Sequence, residues 1–148
     1  MIKMKIDKFN LKYYQKVVEL WKRAEIEVGS SDTEEEIAEV QKRNPDLFLI
    51  GKEDGNIVAV VIGAFDGRRG YIHHLAVDPD YQKRGYGKII IDELIERFRK
   101  KKVHKIHLFI EKTNREVVDF YSNLGWNVRD DLIMMSYVPN KELYKRNI

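Results

Sequence analysis

The chain is 148 residues long, carries a formal net charge of +3 at pH 7 and has no cysteine, which excludes disulfides, thiolate catalysis and cysteine-ligated zinc. The mild charge does not favour nucleic-acid binding, and the four histidines lack the HExxH spacing, so we expect neither a nucleic acid nor a metal as partner. No apolar run approaches the roughly 18 residues of a membrane span, and the first residues lack a signal peptide's apolar core, so we expect a cytoplasmic protein without membrane contact. The length predicts one domain over residues 1–148.

Hydrophobic periodicity and turn residues divide the chain into strands and helices. In chain order the predicted elements are a strand at 2–6, a helix at about 9–28, a helix ending near Asn44, strands at 47–53, 57–65 and 71–77, a helix from Gly85 to about 102, a strand at 105–111, a short helix from Asn114, and a closing hairpin of 126–129 and 132–138. The strands at 71–77 and 105–111 should be parallel neighbours, because a single helix connects them. We therefore predict an α/β fold with a mixed, mostly antiparallel sheet of six to seven strands and about four helices.

The stretch QKRGYGK at 82–88 lies between a predicted strand and a predicted helix. It is not a Walker loop, because Ile89 follows Gly87-Lys88 where serine or threonine is required. It is not a dinucleotide fingerprint either, because Ile90 stands where the third glycine belongs. The first turn of a helix has unpaired N–H groups, and glycines allow phosphate to approach the backbone closely. The stretch therefore indicates an anion site.

Two motifs carry a resemblance to a known family. Leu75-Ala76-Val77-Asp78-Pro79 leads into Gln82-Lys83-Arg84-Gly85-Tyr86-Gly87, and Asn114 is followed by Phe120-Tyr121-Ser122-Asn123-Leu124-Gly125-Trp126. With these motifs the chain resembles the GNAT family of acyl-CoA-dependent N-acyltransferases, over nearly its whole length. It is similar to the small prokaryotic branch that holds ribosomal-protein-acetylase relatives and uncharacterised members. The resemblance implies that the parallel strand pair is splayed for the cofactor.

The resemblance also implies a role for each matching residue. The CoA pyrophosphate would sit on the backbone of the glycine turn, and the pantetheine arm would pair with the open edge of the preceding strand. The N–H of Leu75 would polarise the thioester carbonyl, and Tyr121 would protonate the leaving thiolate. The implied cofactor-binding residues are Leu75, Ala76, Val77, Gln82, Lys83, Arg84, Gly85, Tyr86, Gly87, Lys88 and Asn114. Two alternatives remain: Asn114 as a simple helix cap, and Tyr121 as a core aromatic residue.

The general base is less well specified. Some members of the family use a glutamate in the strand before the glycine turn, whereas this chain has Tyr71-Ile72-His73-His74. Strand alternation places His73 on the face of Leu75 and Val77, and His74 on the other face. We therefore predict His73 as the catalytic base, with His74, Glu111 or a water relay as alternatives.

These residues predict an N-acetyltransferase in which a primary amine attacks acetyl-CoA directly. The acceptor is a small molecule, a protein N-terminus or a lysine side chain. Acidic residues between 25 and 36 would attract a cationic amine, although such charge runs are usually solvated faces. The alternative is a non-catalytic CoA-binding regulatory domain, and a pure interaction domain is a further one. The apolar closing hairpin is compatible with a homodimer.

Overall fold

The computed structural model describes residues 3–144 and has five strands and four α-helices within them. These are β1 (Lys5–Lys8), α1 (Tyr14–Arg23), α2 (Glu34–Arg43), β2 (Phe48–Glu53), β3 (Asn56–Phe65), β4 (Gly70–Val77), α3 (Tyr86–Lys100), β5 (Ile106–Leu108) and α4 (Arg115–Asn123). The chain divides into two compact units, one up to Leu108 and one from Phe109 onward. Among the described residues, no helix combines the length and the apolar character that crossing a bilayer requires.

The five strands form one sheet in the order β1-β2-β3-β4-β5. The first three pairs are antiparallel and the last is parallel, which confirms the predicted mixed α/β class. The parallel pairing runs only from Gly70–Ile106 to Ile72–Leu108, whereas β4 continues to Val77. The edge of β4 beyond Ile72 is therefore not paired with β5.

The two faces of the sheet are covered by different helices. One face packs against α1 and α2 in a buried cluster that includes Trp21, Phe48 and Val60. The other face receives α3, whose Leu94 is so close that a Cβ on Gly63 would lie 2.7 Å from Leu94 Cδ1. The same Cβ would lie 2.9 Å from the backbone oxygen of Leu47, so glycine at this position leaves room for α3 on the sheet.

The first helix is shorter than predicted. It ends at Arg23 instead of 28, because Glu25 has a φ of +64° and the N–H of Ile26 donates to Trp21 O at 2.8 Å. This is the geometry that glycine usually provides at a helix end, so a glutamate there left no sequence signal. The first strand lies at Lys5–Lys8 instead of 2–6, and residue 2 lies outside the described residues.

The predicted closing hairpin is wrong for the described chain. Residues 126–138 contain no strand, and the described part of the sheet has five strands instead of six or seven. The large apolar side chains of this segment are exposed, with 90% of Ile133 and 87% of Tyr137 accessible. An apolar run makes a segment suitable for a sheet, but a strand forms only where a neighbour accepts its hydrogen bonds. The homodimer that the hairpin suggested stays a prediction.

Candidate active site

The glycine turn has the geometry of an anion site. Gly85 precedes α3 with a φ of +80°, and as a glycine it offers no side-chain cap to the helix. The first hydrogen bond of α3 runs from Ile89 N to Gly85 O at 3.0 Å. The N–H groups of Tyr86, Gly87 and Lys88 therefore lack helical acceptors and lie at the positive end of the helix dipole.

A buried glutamate stabilises this turn by accepting hydrogen bonds from two of its side chains. Glu53, at the end of β2, is only 5% exposed, and the Tyr86 hydroxyl donates a hydrogen bond to its carboxylate. The second carboxylate oxygen accepts a hydrogen bond from Arg84 Nη1 at 3.3 Å. The bond to Glu53 raises the pKa of Tyr86, and desolvation adds to this. The Tyr86 side chain thus faces inward, and only its backbone is available to a ligand.

The three cations of the turn differ in their partners. Lys88 pairs with Asp92 at 2.6 Å, and Arg84 lies over the Tyr81 ring at 4.9 Å in addition to its contact with Glu53. Lys83 is exposed and forms no ion pair with any residue that the structure describes. Lys83 therefore has the most freedom to reach a bound anion.

The end of β4 leads directly into this turn. Val77 lies opposite Ala59, and the next N–H, that of Asp78, donates to Val58 O at 2.8 Å. In an antiparallel ladder the direction of the backbone groups alternates, so those of Val77 point away from β3. Gln82 Nε2 donates to Val77 O at 3.2 Å and so ties the turn to this edge.

A β-bulge interrupts β4 between its two ends. His73 lies opposite Ile62 and Ala76 opposite Val60, so one extra residue is inserted in β4, and His74 has a φ of +51°. Ile62 and Val60 share a face of β3, so His73 lies on the face of Ala76. The prediction that His73 shares the face of Leu75 and Val77 is therefore wrong, because a bulge breaks the alternation.

His74 also lies on the face that α1 and α2 cover. Its Nε2 is 3.0 Å from Asp32 Oδ1, and its ring meets the edge of Trp21 with centroids 5.1 Å apart. Asp32 belongs to the 3₁₀ turn Ser30–Asp32 before α2 and is 9% exposed. The predicted acidic rim therefore loses Asp32 to an internal contact.

Asn114 and Tyr121 belong to the second unit. Asn114 caps α4, with its Oδ1 accepting from Val117 N at 3.4 Å. Tyr121 is buried, and its ring lies 5.0 Å from that of Phe120 and 5.4 Å from that of Trp126. Burial raises the pKa of Tyr121 above its ordinary value. Glu111 lies beyond the end of β5 instead of within it.

The structure thus brings most of the predicted cofactor residues together in the first unit. Leu75, Ala76 and Val77 end the strand that the turn from Gln82 to Lys88 follows. Sequence reasoning missed Glu53 and the partnership of Asp32 with His74. Neither has a local pattern, because each depends on a contact across more than 30 residues.

Comparison with known proteins identifies the family. The profile described as "Acetyltransferase (GNAT) family" matches residues 14–126, which is most of the chain. The chain belongs to the GNAT acetyltransferase family. This membership confirms the prediction of an acetyl-CoA-dependent acetyltransferase.

Its relatives cover nearly the same length. An acetyltransferase of Sodalis glossinidius is 30% identical over 132 residues, which is 89% of this chain and 93% of the relative. An acetyltransferase of Pectobacterium atrosepticum is 32% identical over 127 residues, which is 86% of this chain and 90% of the relative. This GNAT protein therefore matches most of the length of both relatives.

Solved structures share the fold. The PaiA N-acetyltransferase of Thermoplasma acidophilum, crystallised in complex with coenzyme A, matches with a TM-score of 0.79 at 17% identity over 87% of this chain and 92% of that one. The ribosomal-protein-S18-alanine N-acetyltransferase of Escherichia coli matches with a TM-score of 0.74 at 22% identity, over 94% and 86%. At these identities the likeness shows the GNAT fold alone.

The Glu53 contacts lead to a stability prediction. Glu53→Ala leaves the inward-facing Tyr86 hydroxyl without its acceptor, so we expect the urea midpoint of unfolding to fall by roughly 0.5–1 M. The control is Asp92→Ala, which removes only the exposed pair with Lys88 and should shift the midpoint by no more than about 0.3 M. Equal shifts in the two variants would show that Glu53 does not support the turn.

A pH dependence of stability is expected from His73. Desolvation lowers the pKa of His73 and the neighbouring His74 lowers it further, against an opposing effect of Asp32. Below about pH 6.5 the unfolded chain therefore binds the His73 proton more tightly than the folded chain, and stability decreases as the pH falls through this value. Urea unfolding between pH 8 and 5.5 should show a weaker decrease in His73→Gln. His73 and the control residue His104 are both exposed, so the effect should be small, and a slope in His73→Gln unchanged from wild type and equal to that of His104→Gln contradicts this assignment.

Proposed function

We propose that this GNAT protein transfers the acetyl group of acetyl-CoA to a primary amine by direct attack of the amine on the thioester. The observation that carries the proposal is the edge of β4 beyond Ile72, which β5 leaves unpaired and which leads into the glycine turn before α3. A long ligand with a polar arm and a charged end requires this combination of a backbone edge and an anion site.

The turn suits the pyrophosphate. The backbone N–H groups of Tyr86, Gly87 and Lys88 are without helical acceptors, and Gly85 leaves the approach open because no heavy atom lies within 4 Å of a Cβ built there. Lys83 adds a mobile positive charge. The same turn would then recognise both the charge and the shape of the pyrophosphate.

The edge of β4 suits the pantetheine arm. The backbone groups of Val77 point away from β3, and Gln82 already occupies its carbonyl, which leaves the N–H for an amide oxygen of the ligand. The N–H of Leu75 would stabilise the oxyanion that forms when the amine attacks. A donor of this kind typically lowers the barrier by about 3 kcal/mol.

Tyr121 would supply the proton for the leaving thiolate. Its raised pKa keeps the phenol protonated at neutral pH, so the donor form is always present. The transfer is uphill in water, since a thiol has a pKa of about 8.5, and it becomes favourable only where the thiolate is poorly solvated. Asn114 would contact the pantetheine in addition to capping α4.

The acceptor is proposed only as a primary amine. Structural neighbours include the S18-alanine acetyltransferase and a glucosamine-6-phosphate N-acetyltransferase of Arabidopsis thaliana, so the fold accommodates both peptide and small-molecule amines. The exposed acids Glu34, Glu35 and Glu36 lie in the first turn of α2, where the helix dipole already stabilises them. They therefore add little support for a cationic acceptor.

Two measurements test the proposal. Isothermal titration with acetyl-CoA should give a micromolar Kd, and a thiol-release assay should detect turnover with at least one of an alkylamine, an amino-sugar phosphate, a peptide with a free N-terminal alanine and an Nα-blocked lysine peptide. Binding without turnover on every amine supports the regulatory alternative. Absence of binding overturns the cofactor site itself.

A further inference from the structure

We infer that His74, held by Asp32, takes the proton that the acceptor ammonium must lose before the amine attacks acetyl-CoA. The inference rests on the proposed function and adds the residue that activates its second substrate. It is carried by the geometry of the bulge, of Asp32 and of the free nitrogen of the imidazole.

The bulge places the imidazole at the reacting end of β4. His74 has a φ of +51°, a conformation that non-glycine residues rarely adopt and that surrounding contacts must maintain. It lies beyond the last residue of β4 that pairs with β5, and it directly precedes Leu75, the proposed oxyanion donor. A base at this position is one residue from the group that binds the thioester.

Asp32 fixes the ring and its tautomer. Asp32 Oδ1 lies 3.0 Å from His74 Nε2, while Oδ2 accepts the N–H of Gly29 at 2.9 Å and the backbone carbonyl accepts the Tyr14 hydroxyl at 2.6 Å. The carboxylate is an acceptor only, so Nε2 must carry the hydrogen and Nδ1 keeps the lone pair. A nearly buried carboxylate in this position also stabilises the imidazolium that forms when Nδ1 takes a proton.

The second nitrogen is available to a substrate. The His74 side chain is 29% exposed, and Nδ1 has no hydrogen-bond partner among residues 3–144. The titratable groups next to the ring are Asp32 from the turn before α2 and His73 from β4, and the Tyr14 hydroxyl of α1 contacts the Asp32 backbone. The carboxylate of Asp32 is the one negatively charged group among them, and it is hydrogen-bonded to the ring.

His73 is less suited than His74 to act as this base. Among residues 3–144 no carboxylate is hydrogen bonded to the His73 ring, and desolvation and the charge of His74 lower the pKa of His73. Its contact along the sheet is with the Tyr71 ring at 6.4 Å. The two adjacent histidines at the bulge therefore differ, because the ring of His74 is hydrogen-bonded to Asp32 and the ring of His73 has no such carboxylate among the described residues.

The proton and electron balance is complete without a further reagent. Nδ1 of His74 takes one proton from R–NH3⁺, directly or through one water, and the free amine attacks the acetyl carbon. A C–N bond forms, the C–S bond breaks, the second amine proton is lost to solvent and the CoA thiolate is protonated by Tyr121. The imidazolium then releases its proton to solvent and the Tyr121 phenolate takes one proton back from solvent, so that one proton is released per turnover.

The test compares kcat/KM of the variants at pH 7 and at a pH closer to the pKa of the amine, with the amine that the wild type acetylates best. His74→Gln should lower kcat/KM for that amine about 100-fold or more at pH 7, with the Kd for acetyl-CoA by calorimetry unchanged within about twofold. The loss should shrink as the pH rises toward the pKa of the amine, because the free amine needs no base. Asp32→Asn should cause a loss of about tenfold or more with the same pH trend, since an amide can donate to Nε2 and move the proton to Nδ1. The control is His104→Gln, on an exposed position before β5.

Each other outcome overturns the inference. Full activity of His74→Gln, a loss that does not depend on pH, or a larger loss in His73→Gln would each exclude His74 as the base. Loss of folding or of acetyl-CoA binding in both His74→Gln and Asp32→Asn would make the pair a structural brace. A wild-type protein that binds acetyl-CoA but acetylates no amine would instead overturn the proposed function.

Discussion

Replacement of Tyr121 by phenylalanine is expected to lower kcat by about 10²- to 10⁴-fold while the KM for acetyl-CoA stays within about twofold. The substitution removes only the hydroxyl and keeps the ring that packs near Phe120 and Trp126. The loss therefore reports the proton given to the departing thiolate and not a change in packing. Steady-state thiol release at saturating acetyl-CoA measures it.

The matched control is Tyr137→Phe, because Tyr137 is 87% exposed and has no proposed role. It should leave kcat unchanged. The raised pKa of Tyr121 further predicts that ionisation of this phenol does not reduce the wild-type rate below about pH 10. If Tyr121→Phe keeps full activity, the thiolate leaves without its help and the residue is only part of the core of the second unit.

The second large effect is expected at the glycine turn. Gly85→Ala should raise the KM and the Kd for acetyl-CoA about tenfold, because a Cβ at a φ of +80° strains the turn and stands where phosphate approaches the N–H groups of α3. The kcat at saturation should change by no more than about threefold. Calorimetry with acetyl-CoA and with coenzyme A measures the affinity directly.

Gly55 provides a closely matched control. It also has a φ of +80°, and as at Gly85 no heavy atom lies within 4 Å of a Cβ built there, but it belongs to the hairpin between β2 and β3. Gly55→Ala and Gly85→Ala should lower the melting temperature by similar amounts, whereas only Gly85→Ala should weaken acetyl-CoA binding. Equal affinities of the two variants for acetyl-CoA would show that the pyrophosphate does not bind at this turn.

Local pattern predicted the elements whose signals are contained within a few residues. Gly85 before α3 and the apolar spacing within the helix placed the helix start within one residue of its observed position at Tyr86. The single helix between β4 and β5 was enough to predict their parallel pairing, because crossover handedness leaves little choice. The end of α1 at Arg23 was missed because a glutamate, and not a glycine, has the positive φ there.

Contacts between distant residues could not be predicted in the same way. The bulge at His74 depends on the pairing of β3 with β4, and a one-residue insertion changes the face of every side chain beyond it. This is why strand alternation assigned the wrong face to His73. The failure at 126–138 has a related origin, because an apolar run shows that a segment is suited to a sheet and not that a partner strand is present.

The sequence by itself therefore determined the family, the cosubstrate and the position of the glycine turn, since these depend on short motifs and on the order of elements. Only the tertiary structure decided which side chains stabilise that turn and which of the two histidines is hydrogen-bonded to a carboxylate. Glu53 lies 33 residues before Tyr86, and Asp32 lies 42 residues before His74. A buried carboxylate finds its partner through packing across the sheet, and no local spacing encodes that choice.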